Sequence, residues 1–259
     1  MPAWLALSIL FWLFWAALAN VLARNPRAEP LTGLVLIFMR LYARWFHRLR
    51  VSGREHIPRS MHPGSLIVLC NHTAGVDPVL VQAAVPFEIK WMMGRDMMPA
   101  RLQGLWEFTG VIPVNRGGGG DTTAARMAMR YLEDDEADGR ERSGIRGGGV
   151  IGIFPEGGIE RPPRTILPFQ PGVGLLIKRS GAPVLQAIID GTPQSPTAWG
   201  SLFQRSTRAV TIRFLPIRDY RAPDLKKLSA AEIAEDLRNR LIHETGWPTT
   251  TERSAETQR

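Results

Sequence analysis

Cysteine is nearly absent. Cys70 stands alone, which excludes an internal disulfide and every multi-cysteine zinc site and suits a reducing compartment. Its place inside an apolar run makes it a packed core thiol rather than a nucleophile. No repeat of fixed period is present. His47, His56, His62 and His243 form no ligand cluster by spacing, so no metal is expected. Charge is missing altogether from Met1 to Ala23. Acid is scarce just after it, where seven arginines stand against the single Glu29 between Arg24 and Arg54.

The uncharged stretch is long. Leu5 to Leu22 is almost wholly apolar, with Trp4, Trp12 and Trp15 among its bulky members, and this is about the length of a helix that crosses a bilayer. Ala17-Leu18-Ala19 is similar to a signal-peptide cleavage site, but the basic n-region is missing. A buried core helix is the other reading, although few are apolar on every side. Residues 1–23 are therefore expected to be a retained membrane anchor, and the arginine-rich flank would leave the rest on the cytoplasmic face. Within residues 24–50, Leu34 to Leu49 reads as a basic amphipathic helix. Arg40, Arg44 and Arg48 recur every four residues beside an apolar stripe of Leu34, Phe38, Leu41, Trp45 and Leu49. Such a helix either lies in the headgroup layer or packs on the domain with its arginines solvated.

A formal charge of +8 and a pI near 10.5 point to an anionic partner: nucleic acid, acidic membrane or phosphorylated substrate. A basic helix next to an apolar anchor makes lipid phosphates the nearer partner, and no nucleic acid is expected. At 259 residues and 44% hydrophobic composition the chain supports one full-sized core plus appendages.

From Arg50 onwards, strand-like apolar segments (Leu66 to Leu69, Ile89 to Met93, Gly110 to Val114, Val150 to Phe154, Val184 to Ile189, Val210 to Leu215) alternate with helix-like ones. The pattern predicts an α/β fold with a mixed, mostly parallel sheet flanked by helices, over residues 51–248. Gly117 to Gly120 and the charged, Gly-rich Asp138 to Gly149 bracket a helix, Asp121 to Glu133, and read as surface connections. Ser229 to Glu232 is a capping box opening a helix through His243, and residues 249–259 are expected to be a disordered tail.

The chain is organised around Leu66 to Pro78. An apolar run, Leu66-Ile67-Val68-Leu69, ends in Cys70-Asn71-His72, and after four residues comes Asp77-Pro78, read as the cap and first position of a helix. His72 and Asp77 then sit on a strand-to-helix turn, where open α/β sheets present their chemistry. They have the parts of a general base held by an acid, although turn chemistry alone also places Asn and His there. Two more strand ends have the look of sites. Gly110 to Val114 runs into Asn115-Arg116, and an arginine suits a phosphate. Ile153-Phe154-Pro155 runs into Glu156-Gly157-Gly158, whose backbone amides could approach an anion closely.

Together and in this order these stretches resemble the glycerolipid acyltransferase family, the lysophosphatidic acid acyltransferases and relatives. Asn71, His72 and Asp77 match the first block, N-H-x-x-x-x-D. Gly110 to Arg116 is similar to the second, Phe154-Pro155-Glu156-Gly157 to the third, and Leu167 to Gly172 with Gly181 to Val184 to the fourth. Gly53 to Pro58 resembles the family's lead-in, so the likeness runs from about Val51 to Ile217. Two places depart from it. Gly158 and Ile159 stand where the third block usually has Thr-Arg or Ser-Arg, leaving Arg161 or Arg164 to supply that charge, and Leu185-Gln186 stands where the fourth block has a second proline. Both departures bear on the acceptor and leave the His-Asp pair intact.

The resemblance implies a membrane-associated O-acyltransferase of phospholipid biosynthesis. His72 would take the proton of a lysophospholipid hydroxyl, most naturally that of 1-acylglycerol-3-phosphate, as it attacks the thioester of acyl-CoA or acyl carrier protein. Asp77 would orient the imidazole. Asn71, Arg116, Glu156 and Gly157 would bind substrate, with Arg116 on the acceptor phosphate. No cofactor is implied beyond the acyl donor, and the partners are membrane lipids, the lysophospholipid and the donor. The rival readings are another lysolipid or aminolipid acceptor, and a non-catalytic relative that binds anionic lipid.

Overall fold

A computed structural model describes residues 3–115, 121–133, 148–159, 162–197 and 199–250. Among them the strands are β1 (Arg50–Ser52), β2 (Leu66–Cys70), β3 (Lys90–Gly94), β4 (Ile112–Val114), β5 (Val150–Ile153), β6 (Val184–Asp190) and β7 (Thr211–Phe214). The helices are α1 (Ala3–Leu22), α2 (Pro30–Trp45), α3 (Asp77–Ala84), α4 (Gln103–Thr109), α5 (Thr122–Leu132), α6 (Pro171–Ser180) and α7 (Ala230–Thr245). The strands form one sheet in the order β1-β7-β6-β2-β5-β3-β4. All neighbours are parallel except β6 and β7, which is the mixed, mostly parallel sheet expected.

Side chains alternate across a strand, and β2 spends both faces on core. Leu66, Val68 and Cys70 pack with Ala43 of α2 and Leu80 and Val81 of α3. Ile67 and Leu69 pack on the other face with Ala124 and Ala128 of α5, Ile177 of α6 and Leu237 of α7. A strand apolar at every position is what burial beneath helices on both faces requires. Because β2 is central and parallel to β5 and β6, its carboxyl end opens beside theirs, and the loops that follow these three strands meet there.

The helix ends explain several boundary shifts. Asp121 caps α5, accepting from the Thr123 and Ala124 amides, and also takes the Asn115 amide at 2.8 Å. Those bonds, Asn115 first, hold its carboxyl below the usual range. Ser229 and Glu232 form the expected capping box on α7. By contrast α2 begins at Pro30 and ends at Trp45, so Arg48 and Leu49 fall outside it. Arg48 adopts φ 51 and donates from Nη2 to the Ser206 carbonyl, while Leu49 packs on the core. Gly110 closes α4, so β4 starts only at Ile112. β1, at the sheet edge, was not expected. Thr249 and Thr250 pair with Ile166, carrying order past the expected boundary; residues 251–259, the glycines 117–120 and residues 134–147 lie outside the described residues.

α1 is 20 residues of apolar sequence, and the part long and apolar enough to cross a membrane, Trp4–Leu22, has none of its length buried. α2 carries an exposed stripe of Leu34, Phe38, Leu41 and Trp45, while Ala43 packs inward. The two helices meet tightly: a Cβ on Gly33 would lie 1.8 Å from the Leu22 carbonyl oxygen, so only glycine fits there. Asn25 closes the turn, donating to the carbonyls of Leu22 and Glu29, both at 2.7 Å. Arg27 then bridges to Glu88, just before β3, and lies over the Phe108 ring.

Candidate active site

The turn after β2 is built around one buried carboxylate. Val76, not Asp77, caps α3; Asp77 is its first residue and Pro78 its second. The reason is visible in where the carboxylate goes. Instead of capping its own helix it turns back, and Oδ2 accepts the Thr73 amide at 2.7 Å, the Ala74 amide at 2.8 Å and His72 Nδ1 at 3.0 Å. Oδ1 accepts the Thr73 hydroxyl at 3.0 Å. Asp77 is wholly buried, and the His72 side chain is 16% exposed. A carboxylate only accepts, so His72 carries its proton on Nδ1, and the Nε2 lone pair is left for a substrate.

The imidazole is held on a second side by rings. Phe154 stacks on His72 with centroids 4.0 Å apart, and Trp91 stacks on the other face of Phe154 at 4.8 Å. Sequence reasoning placed Phe154 in a motif and missed this role. Thr73 was missed as well. Its hydroxyl proton goes to Asp77, so Thr192 donates to it in a short bond that ties the turn after β6 to the turn after β2. The clue was a threonine directly after the histidine and another just past the end of β6.

The remaining expected residues fall into three positions. Asn71 is fully buried beside the dyad, and its side-chain amide donates to the Ile189 carbonyl at 3.0 Å and accepts from the Ile189 amide at 2.8 Å. It thereby extends the β2–β6 ladder by one side chain, a task that needs a donor and an acceptor on one group. Glu156 is also buried, and its Oε2 takes the His72 amide at 3.5 Å. Gly157 has φ 74, and a Cβ there would meet Gln170 Nε2 at 2.9 Å. Gln170, from the fourth block, donates through that nitrogen to the Glu156 carbonyl and through its amide to the Pro155 carbonyl, so it braces the turn that presents Glu156. Arg116 and Arg161 lie outside the described residues; Asn115 and Asp121, on either side of residues 116–120, are joined by the bond from the Asn115 amide to Asp121. Arg164 bonds Asp190 at the end of β6 through two nitrogens, at 3.0 and 2.8 Å. Burial would raise the Asp190 carboxyl, but the bonds and charge of Arg164, with Arg208, outweigh it and hold it low.

Cys70 lies under this turn with no exposure, and burial, aided by the charge of Asp77, pushes its thiol well up, keeping it protonated and inert. A second histidine, His47, is fully buried and makes no hydrogen bond to the dyad. His47 Nε2 lies 2.8 Å from the Tyr42 hydroxyl, which itself donates to the Leu202 carbonyl at 2.6 Å, and Nδ1 lies 2.7 Å from the Ser206 hydroxyl. The ring therefore donates from Nε2 and accepts at Nδ1, and burial pushes its pKa down to about 4. It fastens α2 to the loop before β7, whose Ser201 hydroxyl accepts the Val76 amide at 3.1 Å.

Comparison with known proteins gives a family and a fold. The model of a family described as Acyltransferase matches residues 48–190, more than half of the chain. Among solved structures, the chain resembles the crystal structure of the 1-acyl-sn-glycerophosphate acyltransferase PlsC from Thermotoga maritima, with a TM-score of 0.59 and 17% identity over 82% of this chain and 78% of that one. At that identity the likeness is one of fold. Among curated proteins, none matches.

Proposed function

The chain belongs to the acyltransferase family, and from that premise we propose that it moves a fatty acyl group from acyl-CoA or acyl carrier protein to the hydroxyl of a lysophospholipid, 1-acylglycerol-3-phosphate above others, in phospholipid synthesis. The observation that carries the reading is the 3.0 Å bond from His72 Nδ1 to the buried Asp77, which leaves Nε2 as a base beside an otherwise apolar ring stack.

The chemistry balances without an enzyme nucleophile. Nε2 takes the acceptor's hydroxyl proton as that oxygen attacks the thioester carbonyl carbon. The carbon–oxygen bond forms, the tetrahedral oxyanion collapses, and the carbon–sulfur bond breaks. The departing thiolate takes the proton back from Nε2, giving an ester and a free thiol. Asp77 stabilises the imidazolium between the two transfers.

Strand order supports the substrate roles. β5, which leads into Glu156 and Gly157, lies between β2 with His72 and the β3–β4 edge that leads to Arg116. An acceptor whose phosphate is held by Arg116 would thus cross the third-block turn to bring its hydroxyl to His72. Asn71 serves this pocket by position, holding the end of β2 that carries the base. The bare surface of α1 and the apolar stripe of α2 favour an anchor in the bilayer with α2 along its surface. The arginines that follow α1 favour the cytoplasmic face for the catalytic domain.

The test is a transfer assay of the purified full-length protein with labelled acyl-CoA and acyl carrier protein against a panel of lysolipids. Ester formation on 1-acylglycerol-3-phosphate is expected, and His72→Ala should abolish it while vesicle binding persists. Failure to acylate any lysolipid from either donor would sink the reading.

A further inference from the structure

A cavity of about 730 Å³ opens on the opposite side of the dyad from the β3–β4 edge, where the loops after β6 and before β7 face each other. His72 is not in its wall, but Thr73 is, together with Asp190, Gln194, Arg205, Thr207 and Arg208. The cavity therefore begins one residue from the base, behind the Thr73–Thr192 bond.

Its lining sets charged, amide and hydroxyl side chains among Pro163, Gly191 and Pro193. No leucine, isoleucine, valine, phenylalanine or methionine contributes to the wall, so it is unsuited to a fatty acyl chain. Its charge is positive. The one acid, Asp190, is held by Arg164 and lies 3.5 Å from Arg208. Arg205 has no acidic partner among the described residues. Two glutamine amides, Gln194 and Gln204, complete the cleft. Arg205 and Arg208 suit a phosphate, and the glutamine amides and threonine hydroxyls in the same wall suit an extended arm bearing amides.

We propose that this cleft holds the phosphopantetheine arm of the acyl donor, with Arg205 and Arg208 on its phosphate, and feeds the thioester past Thr73 to His72. The proposal rests on the acyl-transfer function above. Coenzyme A and acyl carrier protein carry the same arm, so the cleft reads the chemistry they share. It also gives the dyad two flanks: the acceptor phosphate arrives from the Arg116 side, and the donor phosphate from the β6 side. Thr73 and Thr192 stand between the cleft and Asp77.

Kinetics with three donors test it: acyl-CoA, acyl carrier protein and acyl-pantetheine, which lacks the phosphate. Arg205→Ala with Arg208→Ala should raise the donor KM roughly tenfold or more for whichever carrier the wild type uses. The acceptor KM and turnover of acyl-pantetheine should stay unchanged. An unchanged donor KM, an equal loss with acyl-pantetheine, or a rise in acceptor KM alone overturns the proposal; the last would assign the arginines to lipid headgroups. Calorimetric binding of 4′-phosphopantetheine separates this from the function itself. Binding that Arg205→Ala alone weakens, in a protein that transfers nothing, would keep the cleft and remove the function. Transfer by the wild type with no measurable binding that depends on either arginine would do the reverse.

Discussion

The ring of Phe154 lies against that of His72, centroids 4.0 Å apart and planes 18° apart. The two residues are 82 positions apart in the chain and meet because β2 and β5 are adjacent and parallel, Leu69 opposite Ile153. An aromatic face favours the charged imidazolium over the neutral ring, so the stack helps most when the proton has been taken.

Phe154→Leu keeps an apolar side chain, somewhat smaller, and removes the aromatic face. The expected result is a fall in kcat of about fivefold, in line with roughly 1 kcal/mol for such a contact, with little change in the acceptor KM. Steady-state kinetics check it, and an unaltered kcat would deny the stack any part in catalysis.

Asp77→Asn replaces an acceptor of four bonds with a group that also donates. The Thr73 and Ala74 amides and His72 Nδ1 all converge on Oδ2, so an amide nitrogen in that place meets donors. A loss of about 10²- to 10⁴-fold in kcat is expected, together with a lower melting temperature.

Asn71→Leu should act on stability first. It leaves the Ile189 amide and carbonyl buried without their partner, at about 1–3 kcal/mol for each such group. Chemical denaturation of the variant in detergent would measure it, and a midpoint equal to the wild type would show that β6 is held otherwise.

His47 makes the fold acid-sensitive. Burial lowers its pKa to about 4, with Asp77 opposing more weakly, whereas the unfolded side chain titrates near 6.5. The unfolded chain thus binds the proton first as pH falls. The contribution is complete above about pH 6.5 and is lost progressively down to about pH 4, by up to roughly 3 kcal/mol. Melting curves at several pH values should show this slope, and His47→Gln should flatten it.

The His72–Asp77 pair was legible because an all-apolar run stops abruptly at Asn71-His72 and a spacer of four residues leads to Asp77-Pro78. The six strands β2 to β7 were legible because their segments are largely apolar. β1 was not: Arg50–Ser52 offers one half-buried valine between two exposed residues, and its partner β7 supplies the order. α4, in the helix-like stretch between β3 and β4, has Trp106 as its one buried side chain, so its bounds left little trace. The Thr73–Thr192 bond and the Phe154 stack join residues far apart in the chain, and neither small hydroxyls nor a single ring leaves a periodic trace. The cap at Val76 was missed because Asp-Pro favours the aspartate as cap until its carboxylate is recruited elsewhere. The polar cleft had no run to announce it, being assembled from loops after β6 and before β7.

α2 is fastened at both ends. Near its start the Asn25 turn and the Arg27–Glu88 bridge hold it to the foot of β3, and near its end Tyr42 and His47 grip Leu202 and Ser206 on the lip of the active-site loops. Its 16 residues make a rigid strut about 24 Å long. In the anchored arrangement proposed above, any tilt of the hairpin would therefore reach the rim of the candidate site as a rotation rather than dissipate in a linker, and one extra turn of helix would lift that rim off its seat.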